Sequence, residues 1–448
     1  MKLVLLRGCC ALLVFLTGMC VAVVAQTAAT KDSPTASAAS ANAKTNSSPR
    51  AESLLIFPFE NSGHDPNMDW LGEGLAELAT ERLAGQGAIV FSRRERLAAL
   101  EKMGLPAYAP FSRATMVKIA AEIDADYVLF GEFVPDGKGL HVSARVLALN
   151  PPSLSDPLTE SGTLDSLNDL QARISWEVLC RISERASACN PSSSAAVQFV
   201  NGARRLAPGA IEFFVRGVQN VDDEARLRDL REASRLEPEW DEPLMAIGRT
   251  YYSRRDCDSA LAWLARVPAG SGHAVEAEFD SGVCQLLRND PPRAEALYAE
   301  LKSRAIASPG AAEILNNLGA ALLREARYEE AAAEFDHSEQ LDPGEPDYWF
   351  NAGLSRYLLA DWSEASRALR EAIRLQPDSA EMRGLLAAVL DKTGNADEAA
   401  RLRQSDQAAA GSEGSNSDTK KQDVTKMSPT ALARLARVRT DLNSGAVR

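Results

Sequence analysis

The sequence predicts a multi-domain, mainly α fold, in which an α/β domain is followed by an all-α superhelix of repeated helical hairpins. A unit of 34 residues is written twice in residues 312–377, where Gly319 is answered by Gly353 and Pro343 by Pro377. A fixed period of this length is typical of solenoids built from helical hairpins. Upstream, segments of strand type and helix type alternate between residues 54 and 149, which is typical of an α/β layer.

The first residues have the pattern of an export signal. Two basic residues precede an apolar run, so we expect residues 1–25 to be a signal peptide that is cleaved after Ala25. The alternative is an uncleaved leader that stays in the membrane as an anchor. After cleavage no transmembrane segment is predicted, because no later apolar run is long enough. Residues 26–51 contain almost no large apolar side chain and are predicted to be a disordered linker.

The charge and the motif content argue against several classes of function. The chain has 49 Lys and Arg residues against 62 Asp and Glu residues, a net charge of −13, which argues against general nucleic-acid binding. Its four His residues are scattered, and neither a Walker pattern nor a dinucleotide fingerprint is present. We therefore predict a protein that is not an enzyme, with no catalytic residues, no metal site and no cofactor.

Four cysteines follow the leader and leave two disulfides open as hypotheses. Cys180 and Cys189 could close a short loop, and Cys257 and Cys284 could join two adjacent repeats. The alternative is free thiols in buried helix positions, and spacing alone does not choose between these states.

Residues 52–188 are predicted to form the α/β domain. Its elements in chain order are a strand at 54–61, a helix at 70–87 capped by Asp69, a strand at 88–92, a helix at 93–103, a helix at 113–123 capped by Ser112, a strand hairpin at 126–149, a strand near 160–164 and a helix at 167–186. Gly72 and Gly74 lie inside a helix and not in a strand-to-helix loop, so they are not predicted to bind phosphate.

Three motifs in this domain resemble the TolB amino-terminal-like domain, which is related to the CsgG-type curli-secretion fold. They are FPFEN at residues 57–61, DWLGEGL at residues 69–75 and ADYVLFG at residues 125–131. The resemblance implies an α/β binding or assembly domain of the bacterial envelope, without catalytic residues. With the leader, it implies an exported protein that is periplasmic or associated with the envelope.

The repeated unit resembles the tetratricopeptide repeat. With Pro343 and Pro377 at position 32, a glycine falls at position 8 and an alanine, Ala331 or Ala365, at position 20. Extending the count in both directions gives about six hairpins within residues 195–410, four of them clear. The resemblance implies that the first helix of each hairpin lines a concave groove.

Positions 2, 5, 6, 9, 12 and 13 of these first helices are predicted to face the groove. The candidate protein-binding residues are mostly apolar or aromatic: Met245, Arg249, Tyr252, Phe279, Val283, Asn317, Phe350, Asn351, Leu354 and Tyr357. Asn317 and Asn351 both stand at position 6, where the resemblance implies a role in holding a peptide backbone. Exposed, such a groove would mark a binding surface; the alternative is a groove that the chain's own tail covers.

The tail is predicted to be a disordered linker, residues 411–427, followed by an amphipathic helix, residues 428–445. Leu432, Leu435, Val438 and Leu442 would form its apolar stripe, and several arginines accompany them. We expect this helix to dock on a partner or in the chain's own groove rather than on a membrane, because it is only modestly apolar as a whole.

Together these features predict a non-enzymatic exported scaffold for bacterial envelope assembly or transport. It would bind protein or peptide partners, and not nucleic acid, through the repeat groove and the α/β domain; self-association is a further hypothesis. The alternative function is a sensory or regulatory module with a small-molecule pocket in the α/β domain. An enzyme subunit is a third hypothesis.

Overall fold

A computed structural model describes residues 52–84, 86–182, 189–190, 192–202, 204–305, 310–412 and 424–442. The predicted signal peptide and the whole of the predicted linker after it lie outside these residues, as do residues 413–423 of the second predicted linker. Among the helices of the described ranges, none combines the length and apolar character needed to span a bilayer.

A mixed sheet forms the centre of the α/β part. Its strands are β1 (Ser53–Ile56), β2 (Glu60–Asn61), β3 (Ile89–Val90), β4 (Tyr127–Asp136), β5 (Gly139–Leu149), β6 (Pro152–Leu154) and β7 (Leu158–Thr163). Their order is β3-β1-β4-β5-β6, with β2 also paired to β4 and β7 to β5. β1 runs parallel to β3 and β4, whereas β4 and β5 form the predicted antiparallel hairpin. The hairpin turns at Gly137, whose φ of +58° favours glycine.

Helices cover both faces of the sheet. α1 (Trp70–Leu83) and α4 (Leu167–Ile182) pack on one face, and α2 (Arg93–Lys102) and α3 (Arg113–Glu122) on the other. β1 alternates accordingly, because successive side chains of a strand point to opposite faces. Leu54 is buried against α1 and α4, and Leu55 against α2 and α3.

Ser112 begins α3 as predicted and Ser92 begins α2 in the same way, but α1 begins differently. Ser92 and Ser112 each accept a hydrogen bond from the main-chain N–H three residues further on. Asp69 stands directly before α1, yet its side chain makes no hydrogen bond to the first turn of that helix. Its carboxylate instead accepts from Asn61 Nδ2 at 2.7 Å. The predicted cap at Asp69 is therefore wrong, because this carboxylate ties the helix start to β2.

The described residues from 208 onward form six helical hairpins. They are α6 (Pro208–Gln219) with α7 (Asp223–Leu236), α8 (Asp241–Ser253) with α9 (Cys257–Leu264), α10 (Ala274–Leu287) with α11 (Pro291–Ala305), α12 (Ala311–Arg324) with α13 (Tyr328–Leu341), α14 (Pro346–Leu358) with α15 (Trp362–Leu375), and α16 (Ala380–Lys392) with α17 (Ala396–Ser412). A Cβ added at Gly319 would lie 2.7 Å from the Phe335 ring, so only glycine allows this approach. The predicted fold class, an α/β domain followed by an all-α repeat region, is confirmed.

The core of the α/β domain continues into the first hairpins. Ile211 and Phe214 of α6, and Trp240 before α8, are buried in the same cluster as the leucines of α1. The rings of Phe214 and Trp240 lie 4.8 Å apart. α5 (Ser194–Gly202) packs on α4, where the rings of Phe199 and Trp176 lie 5.5 Å apart. The sheet and the first repeats are therefore stabilised by one continuous core.

One of the two disulfide hypotheses holds in the structure. Cys180 at the end of α4 is bonded to Cys189, with an S–S distance of 2.01 Å. Cys257 and Cys284 are free and buried between α8, α9 and α10. The hypothesis that they staple two repeats is therefore wrong, and burial raises the pKa of the Cys284 thiol, which keeps it protonated.

The tail differs from the predicted helix. A short 3-10 turn (Val424–Lys426) precedes α18 (Pro429–Ala433), which begins at the capping side chain of Ser428. No regular helix follows between residues 434 and 442. The predicted helix over residues 428–445 is thus too long, because the main chain beyond Ala433 forms hydrogen bonds with other parts of the protein.

Candidate functional site

The tail lies across the first helices of the last three hairpins. α18 packs on α12 and α14, and the turn before it packs on α16. Leu432, Ala433 and Ala436 are buried in the same core cluster as the helices beneath them. We call the surface of α12, α14 and α16 that the tail covers the groove. Because these apolar side chains leave water, their burial stabilises the docked tail.

Two asparagines hold the main chain of the tail. The Arg437 N–H donates to Asn351 Oδ1 at 2.8 Å, and Asn351 Nδ2 donates back to the Arg437 carbonyl at 2.8 Å. Asn317 repeats this arrangement at Arg439, with distances of 2.8 and 2.9 Å. Asn317 and Asn351 occupy equivalent positions in consecutive repeats. The groove therefore advances by two tail residues per repeat and takes the tail in an extended form.

The asparagine side chains are fixed by their own neighbours. Asn316 Nδ2 donates to the Arg437 carbonyl at 2.9 Å, and Asn316 Oδ1 accepts from Asn351 Nδ2 at 2.7 Å. Asn317 Nδ2 also donates to Tyr298 Oη at 3.2 Å. All three asparagines are fully buried. A buried amide must be satisfied by hydrogen bonds, so the network is costly to leave without the tail.

The Arg437 side chain enters a site built by α14 and the start of α16. Its guanidinium pairs with Asp347 and, at 3.1 Å, with Glu381. It also donates to the Ser379 hydroxyl at 3.2 Å and lies 4.7 Å from the centre of the Phe350 ring. Carboxylates at its edge and an aromatic ring at its face match the planar guanidinium better than they would match an ammonium.

The side chain of the second arginine, Arg439, also lies among carboxylates and above an aromatic ring. The Arg439 guanidinium lies 2.9 Å from Glu345 and 3.7 Å from Asp347, above the ring of Tyr348 at 6.0 Å. Both arginines remain charged, since their pKa values are raised: burial lowers each pKa, but the neighbouring carboxylates outweigh that effect.

Asp347 and Glu381 belong to a row of acids, one in each repeat from α8 to α16, that we call the ladder and that is not among the predicted site residues. Position 2 of each first helix from α8 to α16 carries a carboxylate: Glu242, Glu276, Glu313, Asp347 and Glu381. Their separations of 34, 37, 34 and 34 residues match those of position 8 of the repeat, which is Gly248, Gly282, Gly319, Gly353 and Ala387. Position 2 is predicted to face the groove, but the candidate binding residues stand at positions 5, 6, 9 and 12. The signal that would have found the ladder is the recurrence of acid at the repeat period.

The predicted groove residues divide into two groups. Phe350, Asn317, Asn351 and Tyr252 contact the tail, the last through a 3.4 Å hydrogen bond to the Thr440 carbonyl. For the remaining predicted residues, no hydrogen bond or ion pair to the described part of the tail is seen, although the charge of Asp441 in the tail acts on one of them, Arg249: Met245, Arg249, Phe279, Val283, Leu354 and Tyr357.

Several of these large side chains turn towards the second helix of their own hairpin. The Phe279 ring packs edge-on against Tyr298 at 5.7 Å, and the Tyr357 ring against Trp362 at 5.4 Å. Met245 packs among the residues between α8, α9 and α10, and Val283 and Leu354 are buried in the core. Phe279, Val283 and Leu354 share their buried cluster with the tail residues Leu432, Ala433 and Ala436, so a role of these side chains in binding stays a prediction.

The amino-terminal end of the ladder is occupied by the α/β domain. Arg94 of α2 lies 3.0 Å from Glu276 of α10, which Arg249 of α8 also approaches. His273 Nε2 lies 2.8 Å from Glu242. The ladder acids of α8 and α10 therefore already have basic partners, while those of α12, α14 and α16 face the tail.

The region between α1 and α8, which we call the seam, contains a glutamate and a histidine whose pKa values are displaced from their ordinary values. Burial, together with the charges of Glu242 and Glu73, raises the pKa of Glu77 to about 8, although Arg96 and Arg93 act to lower it. Burial lowers the pKa of the His273 imidazole, but the charge and hydrogen bond of Glu242 outweigh burial and leave it raised. Both groups favour the folded state when protonated.

The stability of this seam is expected to fall as the pH rises. A group whose pKa is higher in the folded state stabilises fully below its unfolded pKa and loses that contribution as the pH passes its folded pKa. For Glu77 this window runs from 4.5 to about 8. Glu77→Gln should therefore raise the melting temperature at pH 8.5 and change it little at pH 4.5. Glu101→Gln, at an exposed acid of α2, is the control; an equal gain from both variants at pH 8.5 would contradict the assignment.

A second concave feature lies in the α/β domain. A cleft of about 940 Å³ opens between the loop after β1, residues 107–113 and the strands β4 and β5. Its wall combines the aromatic rings of Phe57 and Phe111 with charged groups such as Glu132 and Arg145. At its base, Glu73 is buried and pairs with Arg96.

Comparisons with solved structures find proteins of the repeat type. A structure titled "Functional Characterization of Pseudomonas Aeruginosa pilF" is 15% identical, covers 43% of this chain and 88% of its own, and has a TM-score of 0.38. MamA from Desulfovibrio magneticus RS-1 is 17% identical, with coverages of 38% and 96% and a TM-score of 0.36. YrrB, titled "a TPR protein with an unusual peptide-binding site", is 19% identical, with coverages of 42% and 94% and a TM-score of 0.34.

At these identities and TM-scores, the similarities carry no argument about what this chain binds. No curated protein matches the sequence. The family model of the tetratricopeptide repeat matches residues 245–309, 288–346 and 350–411. The helical hairpins from α8 to α17 are therefore tetratricopeptide repeats, as the period, the glycines and the prolines of the sequence predict.

Proposed function

We propose that this chain is a non-enzymatic scaffold that holds extended segments of partner proteins in its repeat groove. The observation that carries the proposal is the pair of asparagine clamps, in which Asn351 and Asn317 each exchange two hydrogen bonds with one tail residue. Every protein segment has these main-chain groups, so the clamps suit other extended segments as well. Tetratricopeptide repeats generally serve protein interactions, which supports the proposal.

We further propose that the scaffold works in the bacterial envelope, as an exported protein of the periplasm or of the membrane surface. The leader supports export, whether residues 1–25 are cleaved or remain as an anchor. The resemblance of residues 52–188 to the TolB amino-terminal-like domain supports the envelope, and a mixed sheet covered by helices on both faces is compatible with it. In this proposal the α/β domain docks a second partner.

The second candidate function is that of a sensory or regulatory module. The observation in its favour is the cleft of about 940 Å³ in the α/β domain, whose volume and mixture of aromatic and charged groups suit a small polar ligand. The two functions are separated by the experiment below, because a small-molecule module has no need of a groove that exchanges peptides.

The main-chain clamp can be tested by peptide exchange in the full chain. A protease site is placed between residues 413 and 423 and cut after folding, so that the tail remains as a separate fragment. A labelled peptide of residues 424–442 should then replace it. Methylating the peptide nitrogen of Arg437 removes the N–H that Asn351 accepts and should weaken binding roughly tenfold or more.

Methylation at Val438 is the matched control, since among the described residues its N–H makes no hydrogen bond with the groove. We expect this peptide to retain most of its affinity. The proposal fails if the unmodified peptide does not exchange, or if methylation at Arg437 and at Val438 has the same effect.

A further inference from the structure

The asparagine clamps do not choose between sequences, so any selectivity must come from the side-chain sites next to them. Each clamped tail residue is an arginine, and each guanidinium lies within 4 Å of a ladder acid: Arg437 pairs with Asp347 and Glu381, and Arg439 lies 3.7 Å from Asp347. Arg437 lies between the ladder acids Asp347 and Glu381. A clamp and an acid site thus act on the same residue at both Arg437 and Arg439, which are two residues apart.

The site of Arg437 is built for a guanidinium. It combines two carboxylates, a hydroxyl and the fully buried ring of Phe350, contributed by α14 and the start of α16. The fork of an arginine can satisfy several acceptors at once while it stacks on a ring, whereas a lysine offers a single compact charge. Four-fifths of the Arg437 side chain is shielded from solvent, since its exposed fraction is 21%. Exchange for lysine should therefore cost affinity.

A buried carboxyl of the ladder, Glu313, lies where the charge of Arg439 acts on it. Glu313 of α12 is only 5% exposed, and within the described residues its Oε2 atom has no hydrogen-bond partner. Burial raises its pKa, and the charge of Arg439 acts in the opposite direction. A buried carboxylate oxygen is costly without a partner, and a second cation beside Arg439 would lower that cost.

We propose that the groove selects an extended segment of a partner protein that carries arginine at alternate residues, with a small apolar residue directly before the first arginine. The sequence Ala436-Arg437-Val438-Arg439 of the tail is the resident example of this class. The proposal rests on the function proposed above. The tail is the resident competitor, so a partner must bind more tightly than an intramolecular ligand.

The register of the ligand follows from the contacts of the tail. Asn351 holds the first arginine and Asn317 the second, and the apolar residues Leu432 and Ala433 enter the core ahead of them. The α/β domain already occupies the ladder at Glu276. The part of the ladder that a partner can reach therefore runs from Glu313 to Glu381.

The test uses the cut full chain and peptides of residues 424–442 that differ only in side chains. Arg437→Lys should weaken the peptide roughly tenfold or more, because the charge is kept and the fork is lost. Arg434→Lys is the matched control, since Arg434 reaches only Asn289 at 3.5 Å among its described neighbours. This control should change affinity by no more than about twofold, as is usual for exposed charges.

A variant of the groove makes the assignment specific. Asp347→Asn should weaken the unmodified peptide and reduce the difference in affinity between that peptide and its Arg437→Lys variant, because both changes remove the same contact. An unchanged circular dichroism spectrum and a cooperative melting transition confirm that this variant folds, while weaker docking of the tail lowers its melting temperature. Glu381→Gln replaces it if it does not fold.

The possible results distinguish the arginine selectivity from the proposed function. If the side-chain variants of the peptide all bind with equal affinity, the arginine selectivity is overturned and the main-chain clamp is unaffected. Failure of the unmodified peptide to exchange overturns both. A full chain that forms dimers by exchanging tails would assign the groove to a second copy and overturn a separate partner.

Discussion

Removal of residues 424–448 is expected to increase the fluorescence of a dye for apolar surfaces severalfold, to speed proteolysis of the last three hairpins and to lower the melting temperature. The tail buries Leu432, Ala433 and Ala436 on the groove and satisfies three buried asparagines. Burial of one leucine contributes about 1.5–3 kcal/mol, and each unsatisfied buried amide costs about 1–3 kcal/mol. The hairpins should therefore lose about 3 kcal/mol or more.

A single substitution in the full chain should reproduce part of this effect. Leu432→Asp puts a charge where the side chain is 4% exposed, so the tail should leave the groove without being shortened. Leu341→Asp is the control, because Leu341 of α13 is 54% exposed. Dye binding that stays at the level of the unmodified chain after deletion, or that rises equally for the two leucine variants, would contradict the docked tail.

The sequence predicted the groove better than it predicted its occupant. The 34-residue period defines the hairpins, and position 6 of the period identifies Asn317 and Asn351, since a repeat places equivalent residues on equivalent surfaces. The conformation of the tail could not be predicted this way. An apolar stripe at helical spacing indicates a helix, but hydrogen bonds from Asn317 and Asn351 to Arg437 and Arg439 stabilise an extended chain. Those bonds join residues far apart in sequence.

The acid ladder shows a different limit. Its residues are visible in the sequence at a constant period, yet an acid in the first turn of a helix is also explained by the helix dipole. Only the positions of Arg94, Arg437 and Arg439 show that ladder acids bind cations from other parts of the chain. The ion pair between Arg94 of the α/β domain and Glu276 of α10 is not predictable either, because no local sequence pattern indicates an ion pair between residues so far apart in the chain.

Gly72→Ala is expected to destabilise the α/β domain by about 3 kcal/mol or more, because the added methyl group has no space. A Cβ at Gly72 would lie 2.2 Å from the Phe59 carbonyl oxygen, and the Phe59 N–H donates to the Gly72 carbonyl at 3.0 Å. The positions of the added Cβ and of the Phe59 carbonyl oxygen are both fixed by the main chain, so no side-chain rotamer change can relieve the clash. The measurement is chemical unfolding of the full chain, followed by the fluorescence of Trp70 and its neighbours.

Gly384→Ala in α16 is the matched control, since a Cβ there meets no atom within 4 Å. Alanine is favoured over glycine inside a helix by about 1 kcal/mol, so this variant should be neutral or more stable. Equal stability of Gly72→Ala and the unmodified chain would show that α1 does not lie against the loop after β1.

Gly74→Ala should destabilise the protein less than Gly72→Ala. The neighbours of the two glycines also explain why both stand in one turn of α1. A Cβ at Gly74 would lie 2.9 Å from Cγ2 of Ile211, a side-chain atom of α6 that can shift by a few tenths of an ångström. The first glycine therefore admits the loop that carries Phe59, and the second admits the first repeat hairpin. The DWLGEGL motif thus packs closely on both the loop after β1 and the first hairpin, α6 with α7.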